Sequence, residues 1–99
     1  MLTFEKVLTA FGDYLQQDPL YEVVSTRHGY TLMAWEPERN TWYSAEYMAT
    51  PEALLNSLLD AYANFMEDQI TDNERELTQQ ETDEIQRQCS LLQAKCLDK

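Results

Sequence analysis

The side chains that most often carry chemistry are few here and poorly spaced for it. His28 is the single histidine, and Cys89 and Cys96 are the only cysteines. A zinc site of ordinary type takes about four Cys, His or carboxylate ligands, so His28 would have to meet both cysteines, the nearer of which lies 61 residues further along the chain. No metal and no cofactor are expected. The two thiols fall on a segment whose pattern is helical, where seven residues rise by roughly 10.5 Å. That is more than one disulfide spans, so both should be reduced thiols, as in a cytoplasmic protein.

Nucleophilic catalysis needs Ser or Cys held against a base that a third group orients. His28 forms no local motif with Ser25, Ser44, Ser57 or Ser90, and beside Gly29 it reads as a turn residue. Gly12 and Gly29 stand alone, so no glycine-rich loop can cradle a phosphate. Counting from Asp72, an EF-hand loop would need glycine at its sixth position and a bidentate glutamate at its twelfth. Those positions hold Leu77 and Asp83. With 18 acids in the chain some carboxylates must be neighbours by chance, so a pair of them is no sign of acid–base catalysis. An enzyme is not expected.

The aromatic residues Tyr21, Tyr30, Trp35, Trp42, Tyr43 and Tyr47 are more distinctive. They can form a recognition face, because aromatic side chains offer large contact area at small entropic cost. They can equally fill a core and pair across strands. The elements around them decide between the two. From residue 21 to 47, β-branched and aromatic residues gather between turn signals, which predicts strands at about 21–26, 30–36 and 41–47. Gly29 can adopt the positive φ of a tight hairpin, and Pro37-Glu38-Arg39-Asn40 makes the second turn. Alternation along the middle strand places Tyr30, Leu32 and Ala34 on one face and Met33 and Trp35 on the other. That strand is apolar on both sides.

Three helices flank this meander. Thr3 can cap a helix over about 4–17 with an apolar stripe of Phe4, Val7, Leu8, Phe11, Tyr14 and Leu15, and Asp18-Pro19 ends it. Thr50-Pro51-Glu52 is a helix start, and Leu54, Leu55, Leu58, Leu59, Tyr62, Phe65 and Met66 line one face of a helix over about 51–69. Thr78-Gln79-Gln80-Glu81 has the form of a capping box for a last helix over about 79–96. Its apolar seam, Ile85, Cys89, Leu92 and Cys96, is narrow. The reading is one α+β domain over 1–99, a three-stranded antiparallel meander in the order α-β-β-β-α-α. Leu8, Phe11, Leu32, Leu55, Leu58, Leu59, Tyr62 and Phe65 are the expected core. The first two helices cover one sheet face; the last helix packs along them or across a dimer contact.

Charge narrows the partners. Eighteen acids against seven bases give −11, and eight of those acids oppose Arg75 alone between residues 67 and 84. Binding to DNA or RNA rests on Lys and Arg displacing counterions from phosphates, so direct nucleic-acid binding is not expected. An anionic membrane surface is disfavoured for the same reason, and no apolar run approaches the roughly 20 residues of a spanning helix. The first six residues lack the basic and apolar regions of a secretory signal, which again points to the cytoplasm.

The run Trp35-Glu36-Pro37-Glu38-Arg39-Asn40-Thr41-Trp42-Tyr43, with Tyr47-Met48-Ala49-Thr50-Pro51-Glu52-Ala53-Leu54-Leu55, resembles small uncharacterised accessory proteins of Gram-positive conjugative transposons. The resemblance implies a bacterial cytoplasmic setting and an association with mobile DNA, and no site residues. From the residues themselves the expectation is a non-enzymatic protein-interaction module that binds a protein partner or a second copy of itself as a homodimer. Met33, Trp35, Trp42, Ile85, Cys89 and Leu92 are the candidate surface. Two alternatives stand beside it: an acidic mimic of DNA that inhibits a basic nucleic-acid-binding protein, and a small-ligand protein or enzyme walled by the aromatic face.

Overall fold

The computed structural model describes residues 1–97, in the order α1 (Phe4–Ala10), α2 (Gly12–Gln17), β1 (Tyr21–Thr26), β2 (Gly29–Glu36), β3 (Thr41–Met48), α3 (Pro51–Thr71) and α4 (Gln79–Leu97). It is the expected α+β meander, with one difference at the start. The helix foreseen over 4–17 is two helical segments meeting at Phe11, whose backbone leaves helical geometry at φ −94° and ψ 4°. Phe11 is fully buried, and Gly12 beside it carries no side chain to hold the turn regular. The Phe11 amide donates to the Val7 carbonyl at 3.0 Å and the Phe11 carbonyl accepts from the Leu15 amide at 2.9 Å, so this residue closes one segment and opens the next.

Caps set the remaining helix ends. Thr3 Oγ1 accepts from the Lys6 amide and Thr50 Oγ1 from the Ala53 amide, each at 3.1 Å, which satisfies donors that the first turn leaves free. At α4 the capping box is reciprocal: the Glu81 amide donates to Thr78 Oγ1 and the Thr78 amide donates to Glu81 Oε1. Asp18 ends α2 and is itself buried, accepting from Tyr14 Oη at 2.6 Å and from the Leu20 amide at 2.9 Å. Those two bonds satisfy a carboxylate that burial would otherwise penalise. The same environment pushes the Tyr14 hydroxyl well above its ordinary pKa, through burial first and then the bond to Asp18.

The sheet has strand order β1-β2-β3, all antiparallel. Val23 lies opposite Leu32, and Met33 opposite Ala45. Gly29 at φ +126° makes the first hairpin possible. There Tyr47 reaches over from β3 and donates to the His28 carbonyl at 3.0 Å, its ring 3.5 Å from where a Cβ on Gly29 would stand. A bulge interrupts the β2–β3 register, so that Ala34 faces Ser44 while Trp35 faces Trp42, leaving Tyr43 as the extra residue.

The core joins Val7, Phe11 and Tyr14 to Leu54, Leu55, Leu58 and Ala61 of α3, with Leu32 and Met48 from the sheet and Cys96 from α4. Of the residues expected inside, Phe11, Leu32, Leu55 and Leu58 are buried, and Leu8, Leu59, Tyr62 and Phe65 are half-buried around them. Tyr14 ties the layers together, meeting Tyr62 and Phe65 edge-on at ring-centroid distances of 5.3 and 5.4 Å. Helix α4 packs on α3 and α1 within the chain. Among the described residues, no helix is long and apolar enough to cross a membrane.

Candidate functional site

Strand alternation divides the sheet into two unlike faces. On the inner one, Leu32 and Ala34 are buried beneath the helices. The outer one carries Glu22 and Val24 of β1, Thr31, Met33 and Trp35 of β2, and Trp42, Ala45 and Tyr47 of β3, as the directly opposed pairs show. None of these outer residues is buried. Trp35 and Trp42 meet edge to face with centroids 5.0 Å apart, an arrangement that the opposing register imposes and the ring quadrupoles favour. Tyr47 is 57% exposed and Trp42 39%.

Helix cover also stops short of β3. Every residue of that strand except Met48 is exposed, including Ser44 and Glu46 on the inner side. Tyr43, displaced by the bulge, is 61% exposed beside Tyr21, and burial followed by the neighbouring Tyr43 raises the Tyr21 pKa. Strand β3 is thus an edge strand open on both faces. Its bulge and Glu46 are features that blunt direct strand-to-strand addition at an edge.

The six residues singled out from sequence part into two groups. Met33, Trp35 and Trp42 come together on the outer face. Ile85, Cys89 and Leu92 lie elsewhere, on the side of α4 that turns inward: Ile85 is buried, Leu92 packs against the core and Cys89 is half-buried. Burial raises the pKa of both thiols, at Cys89 with a further push from Asp60, so neither is an activated nucleophile. Sequence reasoning named Tyr47 among the aromatic residues of a recognition face but left it, with Val24 and Ala45, out of the candidate surface. The strand pairing places all three there, and alternation along β1 and β3 would have found them.

Other clusters are organised for structure. Arg75 donates two bonds to the Glu81 carboxylate, at 2.8 and 2.9 Å, and others to the Glu76 and Ile70 carbonyls, which ties the α3–α4 connection to the start of α4. This pairing, with the Thr78 amide, holds the Glu81 pKa down at about 2. Arg87 does the same for Glu84. An open groove lined by Gln88, Leu91, Leu92, Ala94, Lys95 and Leu97 lies along α4. Among the described residues, no group of three or more His, Cys, Asp or Glu side chains is placed to hold a metal ion. Comparison with protein-family models, curated proteins and solved structures finds no match to this chain.

Proposed function

We propose that this protein is a non-enzymatic interaction module whose docking surface is the outer face of its sheet. The observation that carries the reading is the segregation of Met33, Trp35, Trp42 and Tyr47 onto a face that, among the described residues, no helix buries. Aromatic residues and Met are enriched at protein–protein contacts and charged ones depleted from their centres. Glu22 is the one formally charged strand residue on this face. Its setting, on the resemblance of the β2–α3 region, is the cytoplasm of a bacterium carrying mobile DNA. The protein partner, rather than nucleic acid, follows from the charge of −11.

Affinity capture from a bacterial lysate with wild type, Trp42→Glu and Leu91→Glu tests the reading. The wild type and the α4 variant should retain the same specific partner and the Trp42 variant should lose it. Equal retention by all three would overturn the assignment of the face.

A further inference from the structure

The partner for which the outer face is best suited is a second copy of this chain. We infer that two chains pack outer face to outer face, a two-layered sheet sandwich with the helices on its two outsides. This rests on the interaction reading above and names its occupant.

Three observations converge on it. The first is area. Folded monomers of 11.6 kDa expose about 5,800 Å² by the usual size scaling, whereas this chain exposes 6828 Å². The excess of about 1,000 Å² is a property of the whole chain; doubled, it reaches the range of about 1,200–2,000 Å² that a standard stable interface buries. The second is shape. The backbone is a slab of 42 × 39 × 18 Å, and facing sheets pack about 10 Å apart. Two such slabs joined on a broad face form a body about as thick as it is wide.

The third observation is charge, which decides between a copy and a different partner. Residues 21–48, the whole sheet, hold Glu22, Glu36, Glu38 and Glu46 against Arg27 and Arg39, a balance of −2. Residues 67–84 alone hold −7, at the end of α3 and the start of α4. Two chains of −11 can approach only where the charge is thin, and the sheet is that place. Stacking by this face puts the sheet's balance of −2 at the contact, and not the −7 of residues 67–84. A basic partner would be drawn to those helices instead. The contact is isologous, so Met33, Trp35 and Trp42 of each chain meet the same surface of the other. An aromatic, nearly uncharged face satisfies itself in this way.

The test is molar mass by light scattering on the full chain, from micromolar to about 1 mM, for wild type, Trp42→Glu, Ala45→Glu and Leu91→Glu. Wild type and Leu91→Glu should rise from 11.6 kDa towards twice that mass, while either outer-face variant shifts the midpoint at least about thirtyfold upward. Ala45→Glu leaves the tryptophan pair intact, so its effect reads the interface rather than the fold. Added salt should strengthen the association by screening like charges. A wild type that stays at 11.6 kDa throughout, association weakened by salt, or outer-face variants that dimerise like wild type would each overturn the homodimer. If the wild type is monomeric while Trp42→Glu still loses a captured partner, the interaction reading survives and only its occupant is wrong.

Discussion

The seam of α4 and the outer face of the sheet look alike as sequence, each a set of apolar residues without an obvious cover, and the fold treats them oppositely. Ile85 and Cys96 are buried on α4, which packs on α3 and α1, whereas Met33 and Trp35 are only half-buried and Trp42 is exposed. Width explains the difference. A helix presents one line of side chains, which a groove between two neighbouring helices can fill. A face three strands wide needs a layer of its own, and α1, α3 and α4 are already spent on the inner face and on one another.

The comparison is broken most directly by cutting into each region. Leu58→Ala empties a fully buried position on α3 and should cost about 2–5 kcal/mol, read as a clear drop in the thermal melt. Ile85→Ala on α4 should fall within the lower part of that range, at about 2–3 kcal/mol. If Ile85→Ala melts like wild type, burial of the α4 seam at that position does not stabilise the fold and the contrast fails. Tyr14→Phe removes one of the bonds that satisfy buried Asp18 and should cost about 1–3 kcal/mol by chemical denaturation.

On the open side, Trp42→Ala should cost less than about 1 kcal/mol in the monomer, because the ring is partly in water already. Its measurable consequence is lost association. The smallest effect concerns the connection between the two helices. In Arg75→Ala, the Glu81 carboxyl followed by NMR should titrate nearer its ordinary 4.5 than the present value of about 2. Because folding lowers that pKa, the stabilisation is present above about pH 4.5 and fades as pH falls towards 2. The variant should lose that part of the pH dependence.

Strand alternation already told Leu32 and Ala34 from Met33 and Trp35, and the Thr78–Glu81 capping box was visible as a spacing. Both are local, decided by neighbours within a few residues. The break at Phe11 was not legible, since Gly12 signals a weaker helix but not where a buried ring will pull the backbone out of register. Nor was the bulge that lifts Tyr43 out of the ladder, because a bulge depends on the partner strand. Alternation puts Tyr47 on the same face as Ala45, but its reach to the His28 carbonyl has no sequence signature.

The order of elements, their caps and the apolar side of each follow from residue type and period alone. Helix α4 could have lain on the outer sheet face or on its fellow helices, and its thin seam suits either. The compact fold chose the helices because there Cys96 and Leu92 reach an already apolar core, where burial releases more water per residue than a partly polar sheet face allows. That choice left Trp35 and Trp42 without cover. It is a property of the whole chain's packing, which no single segment encodes.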